Sequence, residues 1–437
     1  MKKQMSVFLS MVMAASTLSA ITVPAQAGET EAAKTTVTIM TRSAGEDGLA
    51  KVYESQINEF MKENPNITVE NLSIYEEDAY NTKLKSLIAT GETPDIFYYP
   101  GIAGLSEWAK NGVIMNVEPL FKDDEEWSSR FVKGALETYR LDSYGVPGIY
   151  AIPNELNVDG VFYNTKLFAK AGITETPKTM DDLYDDIKKL KDAGITPWVV
   201  GEKSTWQMGH ILTNLLTKSI GREGQIALGT GEKKWTDDDV VAALDEINKM
   251  IDAGAFEDGF AGIDYNTAFN SFLNGEAAMM THSSPIITDI MLSDSEYKDD
   301  FSFFPFPYFA DKEEYKDEHV VYSSSLMLSG TMEDAEKDAA ISLLKYLTTK
   351  DAIQARYEAY RVSPYSGVTV PENAPQIFKD MIDYTNSLNV TASEYFDYDT
   401  TPTLADVSRN AVLDMSLGSI TAEEAAEQIQ EAIDEEK

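Results

Sequence analysis

Between residues 36 and 112 the hydrophobic period switches repeatedly from two to about 3.6 and back, and this alternation limits the fold more than any other feature. Residues 36–40 (TVTIM) alternate like a strand, and 41–45 form a loop. Leu49, Val52, Ile57 and Phe60 then fall at helical spacing, and Asn64-Pro65 ends that helix. A second strand is expected at 67–72, a helix at 80–90 closed by Gly91, a third strand at 95–99 (DIFYY) and a helix at 102–111. Strand–helix alternation of this kind predicts an α/β lobe around a largely parallel sheet. In such sheets ligands sit beyond the carboxyl ends of the strands. The loops there (41–45, 72–78 and 98–103) offer Arg42, Tyr75, Glu76, Tyr98 and Tyr99. Polar groups mixed with aromatic rings suit a neutral polar ligand with apolar faces, which describes a sugar.

Residues 150–168 (YAIPNELNVDGVFYNTKLF) run from apolar through the polar patch Asn154, Glu155, Asn157 and Asp159 to a short strand at 161–163. Asn164 and Thr165 follow as helix-capping residues. A strand with polar residues in its middle fits either a crossing between two lobes or an edge strand with a solvated bulge. A second set of α/β elements comes next. Thr179 caps a helix, 195–200 (ITPWVV) is a buried strand, and Trp206 stands where a loop meets the helix 208–220. Residues 236–253 and 265–273 read as helices and 277–280 (AAMM) as a strand, with His282, Ser283 and Pro285 in the loop behind it. The aromatic run 301–309 (FSFFPFPYF) reads as a second crossing, because its prolines disfavour a central strand position. Tyr322 precedes the apolar 326–328, helices follow at 335–347 and 351–360, and Arg361 lies where they break. The C-terminus is helical, with a capping box at 421–424.

Composition removes several classes. A net charge of −37 argues against nucleic-acid or anionic-membrane partners. The chain has no cysteine and three scattered histidines, so disulfides, thiolate chemistry and a zinc site are not expected. Lys2 and Lys3, the apolar stretch 7–18 and Ala25-Gln26-Ala27 read as a signal peptide (1–27) cut near Ala27, followed by a flexible lead-in, 28–35.

The order of elements carries NPNI at 64–67, GETPDI at 91–96, VFYNTKLF at 161–168 and PKTMDDL at 177–183. It continues with GEAAMM at 275–280, the helix at 338–346 and AAEQIQEA at 425–432. Together these resemble the extracellular solute-binding proteins of bacterial ABC importers, the carbohydrate-binding family (family 1) that includes maltose-binding protein. The resemblance implies a type II periplasmic-binding-protein-like fold: two α/β lobes, 36–155 plus 306–349 and 156–305 plus 350–437, hinged around a ligand cleft. It implies capture of a sugar or short oligosaccharide without chemistry and delivery to permease subunits in the membrane. The chain would act as a monomer, with no cofactor or metal, at the extracellular face of the envelope or in the periplasm. It places Arg42 and Asn157 on the ligand, Tyr98 and Tyr99 near one aromatic platform, and Trp206 at another. Glu155 and Asp159 are expected to face the cleft, and Asp95, Tyr322 and Arg361 complete the candidate set. Family members carry an aromatic in the loop after Met280. Here His282 and Ser283 stand without a Trp, so a glycan different from or shorter than maltodextrin is expected. The lipidated N-terminal Cys of many relatives is also absent.

Two rivals use the same residues. One is a different cargo (polyamine, peptide or ferric iron) on the same architecture. Tyr98 and Tyr99 point to opposite faces of a strand, which disfavours an iron-binding pair there. The other is a glycosidase with Glu76 and Asp95 as acid and base.

Overall fold

The computed structural model describes residues 34–45, 47–99, 103–132, 135–388, 390–392 and 402–436; the expected signal peptide lies outside them. Among the described residues nine strands are present: β1 Thr35–Met40, β2 Ile67–Asn71, β3 Ile96–Tyr99, β4 Ile152–Asn164, β5 Thr196–Trp198, β6 Ala277–Ser283, β7 Phe301–Phe304, β8 Glu318–Leu328 and β9 Val390–Ala392. They form one open sheet in the order β2-β1-β3-β8-β4-β6-β5, with β7 paired to β4 and β9 to β8. The pairs β1–β2, β1–β3 and β5–β6 are parallel, as the alternation predicts. The centre is not: β8 runs antiparallel to β3 and β4, and β6 and β7 antiparallel to β4. The sheet is therefore mixed.

β4 and β8 hold the molecule together. Their residues reach separate cores, and the side each residue serves follows from the two-residue period of a strand. Ile152 of β4 and Leu326 and Leu328 of β8 pack with Val37, Ile39 and Phe97 and with the helices Ala50–Glu63 and Asp334–Leu347. Further along β4, Val161 joins Trp198, Ile211, Leu215 and Leu244, while Val158 and Phe162 join Met280, Ile287, Phe301 and Phe378 on the opposite face. β8 contributes Val321 to that last group. The stretch that reads as either an edge or a crossing is a central strand running from one core into the others.

The aromatic run differs from expectation. β7 is a strand against Val161–Asn164, and Phe306 and Phe309 pack with Trp198's core. The second crossing is made by β8 instead, whose small Ser323-Ser324-Ser325 centre is buried beside β4. Local capping follows the sequence closely. The Asn164 side chain accepts from the amides of Lys166 and Leu167, the expected box forms at Thr421–Glu424, and the expected cap Thr179 makes a full box with Asp182. Thr165 does not cap; its hydroxyl donates to the Asp300 carbonyl at 2.8 Å. Helices at Ile286–Leu292 and Gln376–Ser387 were not anticipated. Among the described residues no helix is long and apolar enough to cross a membrane.

Candidate functional site

The polar patch of β4 divides by partner. Asn154 is committed to the framework: its Oδ1 accepts from the Tyr53 hydroxyl (2.9 Å) and from Arg356 (2.8 Å). Asn157 and Asp159 are different. The register sets Asn157 opposite Tyr322 on β8 and Asp159 opposite Ser283 on β6, and directly opposed residues share a face. The Tyr322 hydroxyl donates to Ser283 Oγ at 3.1 Å across that face. Asn157 and Asp159 are only 4% and 2% exposed, yet Oδ1 of each lacks a hydrogen-bond partner, as does Ser324 Oγ nearby on β8. Leaving a buried acceptor unpaired costs about 1–3 kcal/mol. A ligand offering hydroxyl donors would remove that cost.

An aromatic and imidazole wall stands beside these acceptors. Trp206 immediately precedes the helix Gln207–Thr230, and His210 lies one turn on, on the same face. Their rings meet at 5.2 Å, edge to face. Trp206 also meets Tyr265 at 5.2 Å and His282 at 5.8 Å. Gly201 permits this closeness, since a Cβ there would lie 2.7 Å from the Asp264 carbonyl oxygen, at the start of the helix Tyr265–Leu273. The Tyr265 ring lies parallel to Phe269 at 5.8 Å. Its hydroxyl is 3.2 Å from His282 Nε2, and His282 Nδ1 is 3.0 Å from the Ser283 carbonyl. A carbonyl only accepts, so Nδ1 carries the proton and Nε2 accepts from the tyrosine. Burial, with the neighbouring His210, lowers the His282 pKa to about 4 and keeps this ring neutral.

A charged group adjoins the wall. Arg361, 6% exposed, places Nη2 3.4 Å from Asp47 and Nη1 3.8 Å from Glu155. Burial raises Asp289 to about 6, opposed by Arg361, and burial also pushes Glu155 upward. Burial raises the Tyr265 hydroxyl well above its usual range, and the charges of Asp289, Arg42 and Arg361 reach it too. The two groups are thus continuous. Arg42 Nε donates to the Tyr75 carbonyl at 3.3 Å, which joins the loops after β1 and β2. Gly48 lets the loop before the first helix meet the helix Ile286–Leu292, because a Cβ would come within 2.1 Å of Thr288 Cγ2.

Of the expected residues, Arg42, Tyr75, Asn157, Asp159, Trp206, His282, Ser283, Tyr322 and Arg361 come together. His282 and Ser283 arrive on a strand, since β6 extends past Met280. Asp95 does not join: at the amino end of β3 its Oδ2 accepts from the Thr38 amide (2.7 Å) and hydroxyl (2.9 Å), which ties β1 to β3. Glu76 is exposed just ahead of the helix Glu77–Thr90, beyond the opposite end of the sheet, so it and Asp95 form no acid–base pair. Tyr98 and Tyr99 flank the cluster and pack edge-on against Tyr80 and Trp108, respectively. Sequence reading missed four members, Asp47 among them, which pairs with Arg361. His210 had a signal, its four-residue spacing from Trp206. Asp289 had another, as the one acid in an apolar helix (IITDIML). Tyr265 had none. Among the described residues no group of three or more His, Cys, Asp or Glu is placed to hold a metal.

A family model described as bacterial extracellular solute-binding protein matches residues 21–354. The multiple sugar-binding protein of Streptococcus mutans is 26% identical over 333 residues, 73% of each chain. An ABC transporter extracellular-binding protein of Pyrococcus horikoshii is 28% identical over 228 residues, and there the match spans about half of each chain. Among solved structures, a chitin oligosaccharide binding protein superposes with a TM-score of 0.84 at 26% identity, covering 92% of this chain and 98% of that one.

Proposed function

The chain belongs to the bacterial extracellular solute-binding protein family, and from that premise we propose that it captures a neutral sugar or short oligosaccharide between its lobes and delivers it to the permease of an ABC importer. The observation that carries this reading is the pair of buried, unpartnered acceptors on Asn157 and Asp159 beside the Trp206 and Tyr265 rings. Sugar hydroxyls donate to the first, and sugar C–H faces stack on the second. Hydrogen bonds to charged groups contribute about 1.5–3 kcal/mol each. Two or three of them with stacking reach about −8 kcal/mol, a micromolar constant. The sugar-binding relative and the oligosaccharide-binding structural neighbour support the ligand class.

Residues 36–155 with the C-terminal half of β8 and the helix Asp334–Leu347 form the first lobe. Residues 156–317 form the body of the second, which takes 306–317 from the expected first lobe because Phe306 and Phe309 pack with Trp198, and β4 and β8 act as hinge strands. Differential contact with both lobes drives closure, since a ligand shifts an equilibrium only by its preference for one state. The family is one of exported solute carriers, not enzymes. Export through a leader cut near Ala27 and action as a monomer complete the reading. A thermal-shift screen of mono- and oligosaccharides tests it: a bound sugar raises the midpoint, and a panel with no effect would remove the sugar.

A further inference from the structure

We infer that His210 is a positioning residue of the binding site: it holds one oxygen of Asp159 so that the other is presented as the acceptor for a single ligand hydroxyl. This rests on the cleft being a sugar site and adds to it the group that aims the carboxylate. His210 Nδ1 lies 2.7 Å from Asp159 Oδ2, and both side chains are buried, at 4% and 2% exposure. Oδ1 of the same carboxylate has no partner. A lone buried carboxylate turns freely about its last bond, because that terminal torsion is broad. The bond from His210 fixes the plane, and the ring itself is held on two sides. It packs against Trp206 at 5.2 Å and stacks on His282 at 6.1 Å with an 18° tilt, while the Asn214 side chain donates to the His210 backbone carbonyl at 2.9 Å. The imidazole therefore couples the stacking platform to the hydrogen-bond acceptor. A ring shift at Trp206 moves Asp159, and a sugar must satisfy both in one pose.

The site then selects a ligand that can place a hydroxyl donor on Asp159 Oδ1 while one of its faces stacks on Trp206. A sugar lacking that hydroxyl leaves the carboxylate oxygen unpaired and is rejected. The test combines binding with imidazole NMR, which is simple here because the chain has three histidines. Chitobiose, xylobiose, maltose and raffinose are titrated calorimetrically into wild type, His210→Leu, His210→Asn, Asp159→Asn and the His210→Leu/Asp159→Asn double variant. His210→Asn keeps an N–H near the place of Nδ1.

His210→Leu is expected to weaken the best of these sugars about ten- to hundred-fold. His210→Asn should restore most of that loss, and His210→Leu should cost about two-fold or less once Asp159 is already Asn. In wild type the His210 Nδ1 signal should be that of a protonated nitrogen and should move in Asp159→Asn. Unchanged affinity in His210→Leu, or strict additivity in the double variant, would overturn the proposal while leaving the sugar site standing. If His210→Leu does not fold, tight binding by Asp159→Asn, or an Nδ1 signal indifferent to it, overturns the proposal equally. No binding by wild type to any of the four sugars overturns the sugar reading itself, and with it the ligand assigned to Asp159.

Discussion

The two ends of the site are built on opposite principles. At the aromatic end, Trp206, His210, Tyr265 and His282 meet ring to ring, and His282 is a neutral imidazole whose nitrogens both have partners. At the charged end, Arg361 spreads its guanidinium over Asp47 and Glu155 at 3.4 and 3.8 Å, longer than good hydrogen bonds, with Asp289 close by. Tight, neutral contacts preorganise a surface for a ligand. Loose contacts between buried charges respond to protonation and to any shift of the segments that carry them. Those segments lie far apart in the chain: the loop at 47, β4, the helix Ile286–Leu292 and residue 361. The aromatic end should therefore govern affinity and the charged end most of the stability, while each end carries one buried titrating group, of opposite sign.

The largest effect is expected at the charged end. Arg361→Met leaves Asp47, Glu155 and Asp289 without their shared cation and should cost about 3–5 kcal/mol of stability, read from urea unfolding. A variant that kept full stability and lost only ligand would reverse the roles of the two ends.

The pH dependence separates the ends by sign. Asp289 has a folded pKa of about 6, above its unfolded value, so its contribution is full below about pH 4 and is lost as pH rises through 6. His282, at about 4, is lowered, so its contribution is full above about pH 6.5 and is lost as pH falls toward 4. Each amounts to on the order of 2–3 kcal/mol. Unfolding free energies measured from pH 4 to 7 should rise more steeply with pH in Asp289→Asn than in wild type, and less steeply in His282→Gln. Parallel curves for all three proteins would show that neither group titrates in the folded state as its burial requires.

Trp206→Ala is expected to weaken sugar binding by about 2 kcal/mol, roughly thirty-fold, while stability stays within about 1 kcal/mol. The smallest effect belongs to Tyr265→Phe, which keeps the ring and deletes only the hydroxyl bonded to His282. A loss of about 1 kcal/mol in affinity or stability is expected, measured by calorimetry and denaturation. A loss as large as that of Trp206→Ala would mean that the hydroxyl itself meets the ligand.

Much of this was legible along the chain. Period changes located six of the nine strands described, β1 to β6, and capping residues such as Asn164 and Thr179 located helix starts, because these signals act within a few residues. The antiparallel centre was not legible. It depends on β8 inserting between β3 and β4, a pairing across more than 150 residues that no local pattern encodes. Asp95 misled for the same reason: a carboxylate at a strand end reads alike whether it meets a ligand or, as here, Thr38. Asn157 and Asp159 entered the candidate set through the resemblance, which decided between the two readings that their polar patch left open. Tyr265 was missed because its role depends on Gly201 and Trp206, which come from another segment.

Sugar binding against the Trp206 and Asp159 side of the cleft stands or falls on one titration. Neutral mono- and oligosaccharides are titrated calorimetrically into wild type and Trp206→Ala at pH 7.5. One-to-one binding of at least one sugar to wild type is expected in the micromolar range, weakened about thirty-fold in the variant. A sugar that bound both proteins equally well, or a panel that bound neither, would contradict it.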